Sequence, residues 1–199
     1  MVGMDAFVWT LIGFALGAIP FSVILGRALL GKDIRQYGDG NPGGTNVARA
    51  SGSKLLGALA IVLDMLKGAL PVALAHYIFG VDGWPLVPVM LAPILGHAYS
   101  PFLRFSGGKA IASTFGAWTA LTVPFGPFVM ALSLLALHKL IAGPGWALMA
   151  ALLVLLAFLG VIGLISPPIV AAWAGTVAIL ALKHRDDLAH APHARPAGG

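Results

Sequence analysis

Between Lys32 and Arg49 the chain reads K-D-I-R-Q-Y-G-D-G-N-P-G-G-T-N-V-A-R, a polar run set in an almost continuously apolar sequence. Backbone rich in glycine can turn successive N–H groups inward as a concave nest for anionic oxygens. Asn41, Thr45 and Asn46 add side-chain donors of little bulk beside Gly43, and Arg49 adds a permanent cation. This is chemistry for gripping phosphate. No G-K-[ST] follows these glycines, so the segment is not a Walker A loop and nucleotide hydrolysis is not its first reading. The competing reading is an ordinary Gly/Pro/Asn turn between two helices.

Other polar positions add to the set. The run G-H-A-Y-S-P-F-L-R-F-S-G-G-K, Gly96 to Lys109, sets His97 about two helical turns before Arg104 and Lys109. A lone histidine beside Pro and Tyr is more often a packing residue than a catalyst. Gly107, Gly108 and Lys109 are harder to dismiss, because a helix beginning near Ala110 would present free N–H groups, its positive dipole end and a cation to one anion. Asp64 and Lys67 lie three apart on one face of an apolar helix. Charges inside a membrane cost about 2.5–3.5 kcal/mol each on insertion scales, so that face should look into a bundle or a polar cavity. A purely structural pair tying two helices together is the alternative. Near the end, K-H-R-D-D-L brings His184, Arg185 and Asp187. With no cysteine, no glutamate and no His-x-x-x-His pattern, neither a thiolate nucleophile, a metal site nor a two-carboxylate mechanism is expected, and no cofactor is implied.

The elements that must carry these residues are membrane helices. With 59% hydrophobic and 10% charged residues over 199 positions and a mean hydropathy of +0.93, the sequence has the profile of a polytopic membrane protein. The N-terminus lacks the basic n-region and cleavage site of a signal peptide, so Phe7 to Leu30 is read as a retained span. Residues 6–30 are long enough to cross a hydrocarbon core of roughly 30 Å, with a kink at Pro20. Residues 55–80 form a second span and 84–103 a third. Residues 110–139, with Pro124 and Pro127 near their middle, are too few for two full crossings at about 1.5 Å per residue and are read as a hairpin of two short helices or a thin, tilted pair. A sixth span covers 146–163, Ser166–Pro167–Pro168 is a break, and 169–183 make a short seventh.

The predicted fold is therefore all-α, a polytopic membrane protein of about seven transmembrane helices, some of them short or half-helices. Residues 1–188 make one membrane domain, and 189–199 a polar tail of disordered composition. The segments 27–54, 104–109, 139 and 183–195 hold eleven of the twelve Lys/Arg, and with seven spans all four fall on one side. The positive-inside rule makes that side cytoplasmic, with the N-terminus outside, the C-terminus inside and the polar clusters facing the cytoplasm.

These motifs together resemble a family, the bacterial membrane acyl-phosphate:glycerol-3-phosphate acyltransferases. The similarity runs through G-A-I-P-F-S from Gly17, the Asp33–Arg49 run, D-M-L-K-G from Asp64, G-H from Gly96, F-S-G-G-K from Phe105 and the terminal H-R-D-D. It implies a seven-helix enzyme of the cell membrane that moves a fatty acyl group from acyl phosphate to the 1-hydroxyl of glycerol 3-phosphate, giving lysophosphatidate and phosphate. Acyl phosphate is a mixed anhydride with a good leaving group, so such an enzyme has mainly to position two anions and stabilise developing charge. The resemblance puts Asn41, Gly43, Thr45, Asn46, Arg49 and Lys109 around phosphate groups, with His97 and His184 orienting substrate. Arg49, Lys109, His97 and His184 are the expected catalytic residues, and Arg104, Gly107, Gly108, Arg185, Asp39 and Asp187 complete the expected substrate- and phosphate-binding set. Acyl phosphate, glycerol 3-phosphate and membrane lipid are the implied partners.

Three places depart from that family pattern. Asp39 stands where the family usually has Ser, Asp187 where it has Asn, and Ala142–Gly143–Pro144–Gly145 where it has a Ser-containing connection. Gly44 and Ala110 replace the commoner Ala and Gly, small for small. A carboxylate beside a phosphate site repels its ligand, unless Arg35 or Arg185 neutralises it. Two further readings follow: a diverged member with another acceptor or no activity, and a small anion transporter using Asp64 and Lys67 as its path. The inverted symmetry that a transporter would favour is not visible. Nucleic-acid binding is not expected, since the basic residues sit among membrane spans and lack interleaved exposed aromatics.

Overall fold

Each apolar run becomes a helix, and each helix ends where the sequence supplies a reason. The computed structural model describes residues 2–123 and 125–194. Its helices are α1 Val2–Ala18, α2 Phe21–Leu30, α3 Gly44–Ser51, α4 Lys54–Ala73, α5 Leu86–Ala98, α6 Ile111–Thr122, α7 Phe125–Leu140, α8 Pro144–Val161, α9 Pro167–Lys183 and α10 Arg185–Leu188. The expected kink at Pro20 is a full break between α1 and α2, because proline has no N–H to donate. Pro167 and Pro168, expected as a break, instead open α9, where missing N–H groups cost nothing. The expected hairpin over 110–139 is formed by α6 and α7, with Pro127 in the first turn of α7. Pro124 lies outside the described residues.

Around an apolar core, many large apolar side chains also point outward while several polar ones are buried, as suits a surface that meets lipid. Phe7, Leu11, Leu66, Phe128, Leu132 and Leu153 are exposed, while Ser22, Asp64, Lys67, His97 and Ser113 are buried. The stretches Gly3–Leu30, Lys54–Ile78, Leu86–Leu103 and Pro144–Val161 are long and apolar enough to cross a membrane. The helices α7 and α9 are shorter. The 12 residues of α6 reach only about 18 Å, as expected of a half-helix.

Close helix contacts fix the frame of the site. A Cβ on Gly17 would collide with the Pro93 backbone and one on Gly96 with the Phe14 carbonyl, so α1 and α5 touch backbone to backbone. Gly68 meets Ser113 and Gly116 meets Met65 in the same way, locking α4 to α6. The fully buried Trp118 of α6 donates from Nε1 to Thr176 of α9 at 3.2 Å. Trp173 of α9 donates to the Leu152 carbonyl of α8 at 2.8 Å. A smaller apolar cluster of Val23, Ile34, Val47, Ala50, Ala60 and Leu103 seats the segment between α2 and α4. That segment was expected as loop throughout, yet Gly44–Ser51 is helical and stops at Gly52 with φ of 70°, where the left-handed conformation suits glycine. Beyond α10, His193–Ala194 pairs antiparallel with Ile141–Ala142. Residues 195–199 of the expected tail lie outside the described residues.

Candidate active site

The loop from Lys32 to Gly43 is anchored before it is functional. Ile34 is fully buried, and Asp33 caps the short turn Ile34–Gln36 by accepting from the Arg35 N–H at 3.1 Å. Asp33 also takes Arg35 Nε at 2.9 Å and Arg27 at 3.1 Å. The Arg35 guanidinium first, opposed by burial and helped by Arg27, holds the Asp33 carboxyl well below the usual carboxylate range. Arg35 is thereby committed to Asp33 and does not neutralise Asp39.

Lys109 takes that part. Its ammonium lies 3.0 Å from Asp39 Oδ2, and its backbone N–H donates to Asn41 Oδ1 at 2.9 Å. Asp39 Oδ1 accepts from the Asn41 N–H at 3.2 Å and from Asn46 Nδ2 at 3.0 Å. Burial would raise the Asp39 pKa, but Lys109 and these donors outweigh it and leave the carboxyl below its ordinary value. Asn46 reaches Arg49 as well, accepting from Nη1 at 3.0 Å. The guanidinium lies against Gly38, where any side chain would occupy its place and where φ is +59°. Arg49, Asn46, Asp39 and Lys109 thus form one hydrogen-bonded line that ties α3 to the turn before α6.

Behind this line sits a buried cluster. Asp64 and Lys67 of α4 pair at 2.8 Å with side chains only 3% exposed. Ser22 donates to Asp64 Oδ2 at 2.9 Å, and Lys67 donates to the Ile19 carbonyl at 2.7 Å. That carbonyl lies at the break between α1 and α2 and also accepts from the Phe21 N–H at 3.1 Å, and Ser100 takes up the carbonyl of Ala18. His97 Nδ1 lies 3.8 Å from Asp64 Oδ1 and makes no hydrogen bond to the described residues. Gly107 and Gly108 press against His97 so closely that a Cβ on either would collide with it. Lys183, at the end of α9, donates to the carbonyls of Ala98 and Gly107 at 3.0 and 3.1 Å and clamps this turn from the other side.

Both layers border a cavity of about 580 Å³. Its polar lining is Asp39, Asn41, Gly43, Thr45, Arg49, Asp64, His97 and Lys109, all singled out from the sequence. The rest of the lining is largely hydrocarbon: Ile61 and Met65, which flank Asp64 on α4, Phe115 of α6 and Pro127, Phe128, Ala131 and Leu134 of α7. Asn46, Lys67, Gly107 and Gly108 stand behind the wall and support it. Four other expected residues are also off the wall. Arg104 is exposed in a left-handed turn, and Arg185 is exposed beside Asp186 at 3.7 Å. His184 is buried, with Nδ1 2.9 Å from the Leu180 carbonyl. Asp187 packs at Gly145 and shares no ion pair with Arg185 among the described residues. Ser22, Ser100 and Lys183 escaped the sequence reading because their partners are backbone carbonyls or distant helices.

Fold and cavity define a multi-pass membrane protein whose cavity combines a donor-rich lining with apolar walls. The chain belongs to the glycerol-3-phosphate acyltransferase family, whose model matches residues 7–192. It is 46% identical over 121 residues to glycerol-3-phosphate acyltransferase 1 of Thermotoga maritima, an alignment covering 60% of this chain and 59% of that one. With the glycerol-3-phosphate acyltransferase of Anaeromyxobacter dehalogenans it shares 35% identity over 188 residues, 88% of each chain. The chain also superposes on the crystal structure of PlsY (YgiH), an integral membrane glycerol 3-phosphate acyltransferase, in its glycerol 3-phosphate form. That match has a TM-score of 0.80 and 33% identity, covering 92% of this chain and 90% of the other. The lysophosphatidic acid form of that protein matches equally well, with a TM-score of 0.80.

Proposed function

We propose that this protein transfers a fatty acyl group from acyl phosphate to the 1-hydroxyl of glycerol 3-phosphate, releasing lysophosphatidate and inorganic phosphate. The carrying observation is a single cavity lined both by donors that suit phosphate and by apolar walls that suit an acyl chain. Arg49, Thr45 and the N–H groups around Gly43 hold phosphate oxygens, and Lys109 neutralises charge that builds as the anhydride opens. The acceptor oxygen bonds to the acyl carbon, and the bond from that carbon to the phosphate oxygen breaks. The hydroxyl proton ends on the departing phosphate, directly or by way of His97. Arg104 and Arg185, exposed and off the wall, draw anionic substrates toward the site. His184 is a packing neighbour that steadies the turn beneath Lys109.

The same reading puts the protein in the cytoplasmic membrane with its site facing the cytoplasm, supported by the concentration of Lys/Arg in four segments. A second reading keeps the cavity and changes the acceptor; the Asp39 carboxylate among the donors favours it. One assay separates the two: phosphate release from synthetic palmitoyl phosphate by the protein in lipid, with and without glycerol 3-phosphate. Acceptor-dependent release with lysophosphatidate as product is the expected result. Folded protein that shows no acceptor dependence would transfer the case to the second reading.

A further inference from the structure

The donor-rich lining of the cavity already holds an anion, and it is part of the chain. Asp39 accepts from the Lys109 ammonium, the Asn41 N–H and the Asn46 amide, and its neighbour Asn46 in turn holds Arg49. Of these donors the Lys109 ammonium is on the cavity wall, as is the Arg49 guanidinium held through Asn46, and both are partners a phosphate group would seek. We infer that Asp39 is a resident competitor for the phosphate site, occupying the Lys109 ammonium when the cavity is empty and setting how tightly a phosphate ester binds. The inference rests on the proposed reading of this cavity as a phosphate site.

Comparison with the other Asp–Lys pair on the same cavity separates an exchangeable contact from a fixed one. Asp64 and Lys67 are 3% exposed and are further tied to Ser22 and to the Ile19 carbonyl, so nothing entering the cavity can divide them cheaply. The Asp39 and Lys109 side chains are 49% and 36% exposed, and both residues line the cavity. Asp39 stands between Gly38 and Gly40, whose φ values of +59° and +73° mark a backbone free of side-chain bulk on either side. A doubly charged phosphate brings more charge and more acceptor oxygens to Lys109 than a carboxylate, so the exchange favours the ligand, but by less than if the ammonium were vacant. The carboxylate then remains on the cavity wall as a like charge that screens out weaker anions.

The test measures binding of glycerol 3-phosphate and of inorganic phosphate to the purified protein in neutral-lipid nanodiscs by calorimetry, independently of turnover. Asp39→Asn keeps the shape and removes the charge, and Asp39→Ser removes both charge and bulk. Each is expected to tighten binding of both ligands by about tenfold, about the effect of one unfavourable charge near a partly exposed site. In a Lys109→Met background the same Asp39 changes should alter affinity by about twofold at most, since the contested ammonium is gone. Unchanged or weaker binding in both Asp39 variants would overturn the inference. So would an undiminished tenfold gain in the Lys109→Met background. Absence of acyl transfer by the parent protein, with phosphate binding and its Asp39 dependence intact, would remove the proposed reaction and leave this inference standing.

Discussion

Lys109 and Arg49 carry the positive charge on the described cavity wall, and each is aimed by a different neighbour. Lys109 is fixed at its backbone by Asn41 and at its ammonium by Asp39, while Arg49 is held by Asn46 over Gly38. Removing one preorganised donor from a site of this kind costs roughly 10²–10³-fold in kcat. Lys109→Ala and Arg49→Ala are each expected to lower acyl transfer by about that factor, with the protein recovered from the membrane in the parent's yield. Turnover within about threefold of the parent would take that residue out of the chemistry. Such residues were legible in the sequence because a polar side chain in an otherwise apolar chain must have a reason to be there. Their partners were not. The sequence offered Arg35 to neutralise Asp39, but Asp33, two residues away, binds that guanidinium from two sides. Lys183 counted only as a terminal charge until α9 was seen to end against the carbonyls of Ala98 and Gly107.

Among the elements, α4 and α6 decide the width of the cavity. The first carries Asp64, and the second begins directly after Lys109. Gly68 faces Ser113 and Gly116 faces Met65, backbone against backbone, so neither position has room for a side chain. Gly68→Val or Gly116→Val must push the helices apart, and overpacking of this kind costs about 1–3 kcal/mol, occasionally more. Either variant should lower the thermal midpoint in detergent by several degrees. Acyl transfer should also weaken through a raised KM, since Asp64 and Lys109 would separate. Gly3→Ala, where no heavy atom lies within 4 Å of the added carbon, is the control and should leave the midpoint unmoved. A Gly116→Val midpoint equal to that of Gly3→Ala would mean that the helices are not held at this distance. Apolar runs and prolines revealed these helices in the sequence, including the short pair from 110 to 139. Which glycine faces which backbone depends on helix rotation, and composition does not encode that. Helix α3 was hidden for a related reason: Gly43 and Gly44 read as a turn, whereas Gly44 is needed where its Cβ would strike the Gly57 carbonyl of α4.

For the whole molecule the question is which way it lies in the membrane. The donor-rich lining of the cavity is built by the loop after α2, the turn between α5 and α6, and the support that Lys183 gives at the end of α9. Those segments hold most of the Lys and Arg, and the seven passages expected from the sequence would put them on one side, with Asp5 and Asp82 and no Lys or Arg on the other. Each Lys or Arg next to an anionic cytoplasmic leaflet gains about 1 kcal/mol, so the two orientations differ by far more than thermal energy. The C-terminus is therefore expected in the cytoplasm. A reporter that is active only outside the cytoplasmic membrane should be silent when fused after Gly199 and active when inserted beside Asp82. Activity at Gly199 would invert the molecule and place the donor-rich lining of the cavity on the far side from any cytoplasmic acyl donor. The proposed reaction would then lack its substrate, even with every residue of the site in place.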